Sequence, residues 1–341
     1  MLNTKRRNPL ILGLPLLALA GSLLAGCGSS GGNSAADAGA SASPAASAGT
    51  ASAAPAALTT LTLGMLPSID AIPFVIAHEQ GFDAEHGVNL DIQSFKSAKD
   101  RDAASQAGKL EGWSADLVAI SLYNQAGLDV KIASTTTGSF SLLTGNDAIQ
   151  SVKDLKGKTV ILSKNTSTEY TVATMLAQAG LTEKDITVTE VPQIPTRLEL
   201  LKNGKADAAI LPEPYVTIGQ AAGLRVLSST GEAGINPFVL ALPGKTIRDK
   251  ADAVHGMYAA YNEAVDYMKS HDQSEYIDVV VREVGYPEEM KSEIKVPSYE
   301  HAVQADVKQI EQAFAWAREK GLLSKETKPE EVISGVEFGS K

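Results

Sequence analysis

Two acids in the 341-residue chain stand in similar settings. Asp116 follows Gly108-Lys109-Leu110-Glu111, and Glu213 follows Gly204-Lys205-Ala206-Asp207. In each case a short apolar run separates the Gly-Lys-x-acid segment from the second acid. If the two segments are a repeat, these carboxylates face one gap from opposite halves and repel unless a donor lies between them. A protonated amine or an aminopyrimidine meets that need, and a small anion does not. The purely structural alternative makes Asp116 a helix N-cap and Glu213 an acid held between Pro212 and Pro214.

Thr166 and Ser167 open a helical pattern, where free N–H groups and the helix dipole attract a carboxylate, a sulfonate or a ring acceptor. A capping box of Thr166 with Glu169 accounts for the same residues without a ligand, and Thr196 with Glu199 shows the same spacing. Ser68 and Asp70 precede another helical stretch as ligand contacts or caps. Trp113, Tyr123, Phe140, Tyr170 and Tyr215 fall near strand ends or helix starts, where one or two of them can stack on a planar or cationic group. Asn165, Thr136 and Asn236 complete the candidate contacts, Asn236 with a turn as its alternative role.

Other chemistries find no footing. His78-Glu79 begins like a zinc-protease motif, but Phe82 stands where the second histidine belongs. The five histidines, His78, His86, His255, His271 and His301, lack metal-ligand spacing. No nucleophile elbow, P-loop or dinucleotide fingerprint is present. No cofactor, metal site or catalytic residue is expected.

The elements that would carry these residues alternate between strand-like and helix-like patterns, as in an α/β fold with mainly parallel strands. Strands are expected near 61–65, 88–95, 112–114, 130–133, 140–143, 159–163, 186–191, 207–211 and 238–242. Helices are expected near 71–79, 100–107, 116–126, 167–179 and 197–202, then in a tail at 250–268, 274–284 and 299–320. Val254, Met257, Tyr258, Tyr261 and Val265 show the apolar spacing of the first tail helix.

The N-terminal region reads as targeting sequence. Lys5, Arg6 and Arg7 precede an apolar run over 10–24 that suits a signal-peptide core. It ends in Leu24-Ala25-Gly26-Cys27, which looks like a bacterial lipobox, and that resemblance implies cleavage before Cys27 and a lipid on its sulfur. Cys27 is the only cysteine, so no intramolecular disulfide can form. Residues 28–57 are nearly all Gly, Ala, Ser, Pro and Thr, and such a stretch cannot bury enough apolar surface to order itself. It reads as a tether. Loss of Lys5, Arg6 and Arg7 with no acid takes the formal charge from −10 to −13, which disfavours nucleic acid as a partner.

The body, 58–341, resembles the solute-binding proteins of ABC importers for nitrate, sulfonates, taurine and the pyrimidine precursor of thiamine. The resemblance rests on Leu63-Gly64-Met65-Leu66-Pro67 with Pro73-Phe74, Glu79-Gln80-Gly81-Phe82, 152–158, the Gly-Lys-x-acid segments and Leu211-Pro212-Glu213-Pro214-Tyr215. It implies a type 2 periplasmic-binding fold with two hinged lobes, ligand in the cleft and no catalysis. Lobe one is expected from 58–137 plus 236–341 and lobe two from 138–235, with crossings near Thr135-Thr136-Thr137 and 234–237. The family's Gly-Ser-rich turn before the second-lobe helix is replaced here by Ser163-Lys164-Asn165-Thr166-Ser167, which weighs against a naked anion as ligand. The expected protein is a monomer, lipid-anchored on the outer face of the cell membrane. It hands a small organic nitrogen- or sulfur-containing solute, pyrimidine-like or zwitterionic, to an ABC permease and its ATPase. A surface receptor without transport and an enzyme on the same fold are the alternatives.

Overall fold

A computed structural model describes residues 57–338. The expected signal peptide, Cys27 and all but the last residue of the expected tether lie outside the described residues.

Ten strands form two five-stranded sheets. The first contains β1 (Thr59–Met65), β2 (Val88–Ser94), β3 (Gly112–Asp116), β4 (Val130–Thr135) and β10 (Phe238–Pro243), in the order β2-β1-β3-β10-β4. The second contains β5 (Phe140–Thr144), β6 (Thr159–Leu162), β7 (Thr187–Glu190), β8 (Ala208–Pro212) and β9 (Arg225–Ser229), in the order β7-β6-β8-β5-β9. β1 pairs in parallel with β2 and β3, and β6 with β7 and β8. The antiparallel member in each sheet is the strand that has crossed from the other: β5 against β8 and β9, β10 against β3 and β4. Two five-stranded sheets that each receive one antiparallel strand from the other half are the periplasmic-binding-protein fold.

Helices α1 (Ile72–Glu79), α2 (Phe82–Glu85), α3 (Ala98–Gln106) and α4 (Leu117–Gln125) connect the strands of the first sheet. Helices α5 (Ser167–Gln178), α6 (Ile194–Lys202) and α7 (Tyr215–Ala221) serve the second. After β10 come α8 (Gly244–Asp249), α9 (Ala251–Ser270), α10 (Ile277–Val284), α11 (Val307–Glu319) and α12 (Pro329–Val332). No helix among the described residues is long and apolar enough to cross a membrane.

Burial follows from the alternation of the strands. Leu61, Leu63, Phe74, Met257 and Tyr258 pack α1 and α9 against the first sheet. Leu143, Ile161, Leu198 and Leu211 do the same for one face of the second. A third cluster joins Trp113 and Ile120 of the first half to Val160 and Ile210 of the second, with Phe314 of α11 among them. The chain crosses between sheets at 136–139 and 230–237, and the crossings are bonded to each other. Thr136 N–H donates to Phe238 O at 3.1 Å, and Asn236 Nδ2 donates to Thr136 O at 3.1 Å.

Several boundaries differ from the sequence expectation for local reasons. The last long helix begins at Val307 rather than near 299, because Asp306 caps it by accepting from Lys308 N–H at 2.7 Å. Tyr299 belongs to the core instead, donating to Ile69 O at 2.7 Å. The helix expected from 274 begins at Ile277 after a separate 3-10 turn capped by Asp272. α6 begins at Ile194, with Pro195 in its first turn, so Thr196 lies inside the helix and is not its cap. β9 and the short helices α2, α7, α8 and α12 were not expected from the sequence.

Candidate functional site

The Gly-Lys-x-acid segments occupy matching places. Gly108 and Gly204 end α3 and α6 with φ of 69° and 64°, the left-handed region that glycine enters without a Cβ penalty. Lys109 N–H donates to Ala104 O at 3.1 Å, and Lys205 N–H to Leu200 O at 2.9 Å. The acid then turns to the neighbouring parallel strand: Glu111 Oε2 accepts from Thr62 N–H at 3.2 Å, and Asp207 Oδ2 from Thr159 N–H at 2.9 Å. Each segment thus delivers the central strand of its sheet, β3 or β8, in the same register against its neighbour.

The repeat reaches one turn further back than the motif shows. Arg101 on α3 and Arg197 on α6 each precede the glycine by seven residues, and both are 2% exposed. Arg101 Nη1 donates to Ser114 O of β3. Arg197 Nη1 donates to Ile210 O of β8 at 3.2 Å. Each guanidinium therefore holds the carbonyl of the middle residue of the central strand.

Between these ends lies a cavity of about 60 Å³. Its first-sheet wall is made by Leu66, Ser68 and Asp70 after β1, by Arg101, and by Ser114 and Asp116 at the end of β3. Its second-sheet wall is made by Ser163, Thr166 and Thr168 around the start of α5, by Pro192 and Arg197, and by Pro212 ending β8. Phe140 and Phe238, the first residues of the two crossing strands, pack at 4.5 Å between ring centroids and close the hinge side. Ligands of open α/β sheets sit at the carboxyl ends of the strands.

Asp116 ties the walls together. It caps α4 by accepting from Ala119 N–H at 2.8 Å, and the same oxygen accepts from Ser167 Oγ at 2.8 Å across the cleft. Burial raises its carboxyl above the usual range, and those two donors and the Arg101 charge offset only part of the rise. Asp70 is likewise raised by burial, with the Ser68 hydroxyl beside it as the largest offset. Ser68 Oγ makes no hydrogen bond of acceptable geometry, although it is 4% exposed. Ser68 stands before a 3-10 turn, Ile69–Ala71, and its side chain does not cap it.

The two arginines differ in charge balance. Arg101 has Asp102 as a partner, with Nη2 and Nε donating to Oδ1 at 2.7 and 3.0 Å. Arg197 donates only to carbonyls: Val191 O at 2.7 Å, Pro192 O and Ile210 O at 3.2 Å. Burial without a compensating anion pulls its pKa down to about 10, so it is charged at neutral pH.

Of the candidate residues, Ser68, Asp70, Asp116 and Thr166 line this cavity, and Ser167 reaches its edge through Asp116. Glu213 does not face Asp116 across it. Its carboxylate accepts from Thr217 N–H at 3.0 Å in the first turn of α7, beside the Tyr286 hydroxyl, and burial raises it. Tyr215 is half-buried outside the lining. Asn165 is exposed and takes φ 58° before α5. Asparagine tolerates that left-handed conformation, so the turn closes without a glycine. Thr136 is buried in the first crossing. Asn236 binds the crossings together, donating to Thr135 Oγ1 at 3.2 Å and accepting from Phe238 N–H at 3.1 Å. Glu169 does not complete a box on Thr166; its Oε2 accepts from Asn165 N–H at 2.7 Å, one residue earlier. Of the expected aromatics only Phe140 lines the cavity, while Trp113, Tyr123 and Tyr170 are core.

Arg101, Arg197 and Phe238 were missed. The signal for the arginines was available: an arginine seven residues before each Gly-Lys pair. Among the described residues no group of three or more His, Cys, Asp or Glu side chains is placed to hold a metal ion.

The fold and this cleft define a protein of the periplasmic-binding class. The chain belongs to the NMT1/THI5-like family, whose model matches residues 68–275. It is 26% identical over 269 residues to a Bacillus subtilis protein named as aliphatic sulfonates-binding, covering 76% of this chain and 74% of that one. It is 23% identical over 267 residues to a Brachyspira hyodysenteriae protein named as an ABC transporter periplasmic binding protein, covering 73% and 70%. The fold superposes on the periplasmic aliphatic sulphonate binding protein SsuA of Escherichia coli with a TM-score of 0.69 at 18% identity, covering 83% of this chain and 94% of that one.

Proposed function

We propose that the protein is the extracytoplasmic solute-binding component of an ABC importer, anchored through a lipid on Cys27, and that it captures a small organic solute between its two halves. The carrying observation is the cavity, walled by both sheets and polar at specific points. Relatives named as importer binding proteins support the transport role, and the lipobox-like Leu24-Ala25-Gly26-Cys27 supports the anchor. The partners are then a permease and its ATPase, met by a monomer at the outer face of the cell membrane.

In this reading the halves, 58–137 with 236–341 against 138–235, turn about the two crossings. The solute favours the closed form by touching both walls, since only differential contact shifts such an equilibrium. Asp70 and Asp116 take a donor group of the ligand, which places a nitrogen-bearing end on the first-sheet wall. Thr166 and Ser167 belong to the opposite wall. The small cavity, about 60 Å³, supports a compact solute.

A thermal-shift screen of the purified chain against amines, amino acids, sulfonates and heterocycles tests this. A solute at about a hundred times its Kd raises stability by roughly 2.7 kcal/mol, and Asp116→Asn removes that shift. A screen in which no solute stabilises the chain, or one whose hit is indifferent to Asp116→Asn, counts against the reading.

A further inference from the structure

The cavity is charged unequally from wall to wall. On the first-sheet side two carboxyls, Asp70 and Asp116, share the space, and the only cation there, Arg101, is engaged by Asp102. On the second-sheet side Arg197 occupies the place equivalent to Arg101 and has no acid beside it. A guanidinium carries five N–H donors, and three of those on Arg197 go to the carbonyls of Val191, Pro192 and Ile210. Two remain. Burying a cation without a counter-ion is costly, and no neighbouring acid offsets the burial of Arg197, so an anionic group of a guest is the partner that would. The start of α5, a helix of 12 residues whose cap Thr166 lines the same wall, adds the positive end of its dipole.

We infer that Arg197 is the anion subsite of this cleft and that the solute is a compact zwitterion, its acidic group on Arg197 and its ammonium or amidinium group between Asp70 and Asp116. The inference rests on the solute-binding reading above and fixes the polarity of the ligand within it. It also gives a reason for the broken symmetry of the repeat. Asp102 follows Arg101, whereas Leu198 follows Arg197, so the same helix position yields a neutralised pair on one wall and an open charge on the other. A simple anion would leave the two carboxyls facing each other, and a simple amine would leave Arg197 unpaired.

The test is isothermal calorimetry on the full chain with matched probes on one carbon frame: β-alanine, its amide as the cation and propionate as the anion, and the same trio built on glycine and γ-aminobutyrate. The zwitterion of at least one trio is expected to bind about tenfold or more tightly than both singly charged members, the range of a charge-assisted hydrogen bond. Arg197→Met abolishes that preference by weakening the zwitterion toward the amide, while Arg197→Lys, which keeps the cation, retains part of it. Circular dichroism and melting of each variant show whether the fold is kept. The Arg197→Lys result keeps the test decisive should Arg197→Met not fold. A cation, anion or neutral ring that binds as tightly as any zwitterion, with an affinity unmoved by Arg197→Lys, overturns this inference and leaves the solute-binding reading standing. Failure of every probe and every solute in the wider screen overturns both.

Discussion

Burial opposes the ionisation of Asp70 and Asp116, and the sign of the consequence is fixed. Their folded-state pKa values lie above the ordinary 3.8, so the native state binds more protons than the unfolded chain between that value and the raised one. Stability contributed by these protonated carboxyls is fully present at low pH and is lost as pH rises through the folded pKa. Each pKa unit corresponds to about 1.4 kcal/mol. Asp70→Asn is therefore expected to raise the unliganded melting temperature at pH 7 and to have little effect near pH 4, measured by calorimetry across that range. A variant that melts lower at pH 7 would show that the carboxylate is stabilised by partners and is not strained by burial. Asp116 was legible because a recognisable segment leads to it. Glu213 looked equivalent because it also follows such a segment, but it comes one residue later than Asp116 does: β8 ends at Pro212 and the next carboxyl turns back onto Thr217 of α7. A one-residue difference after a strand reverses which face a side chain meets, and the extra residue before Glu213 was there to be counted. The arginines stayed hidden because an arginine on a helix ordinarily reads as solvated surface.

At the scale of elements, the Gly-Lys-x-acid segment is a register device. It stops a helix with a left-handed glycine and locks the next strand by a carboxylate on the neighbour's N–H. Asp207→Ala leaves Thr159 N–H and Asn146 Nδ2 without that acceptor, and an unsatisfied group of this kind costs roughly 1–3 kcal/mol. Urea unfolding should show that loss, and a smaller one for Glu111→Ala, whose bond to Thr62 is longer at 3.2 Å. Equal losses would mean that the contact geometry does not set the energy. The strands and most helices could be read from alternation and apolar spacing, since burial imposes both. The edges of α6, α10 and α11 could not, because they depend on Asp272, Asp306 and the proline at the start of α6. β9 was missed because its half-buried residues carry no clear alternation.

For the molecule as a whole, the two crossings decide how the halves meet. Gly138 lies in the first, and a Cβ there would stand 2.4 Å from the Phe238 ring, which lines the cavity. Gly138→Ala must displace that ring, so solute affinity should fall more than thermal stability does; an unchanged affinity would detach the Phe140–Phe238 pair from binding. The central claim is capture between the halves, and a crosslink across the mouth tests it most directly. Gln193 Nε2 donates to Asp100 Oδ2 at 3.3 Å from the opposite half, and both residues are exposed. In a Cys27→Ser background, Asp100→Cys with Gln193→Cys supplies the only two thiols, to be joined by a short bismaleimide before or after solute is added. Crosslinking first should exclude the solute, and crosslinking last should trap it against dialysis. Uptake and release at the same rates in both cases would show that the solute does not enter between the halves.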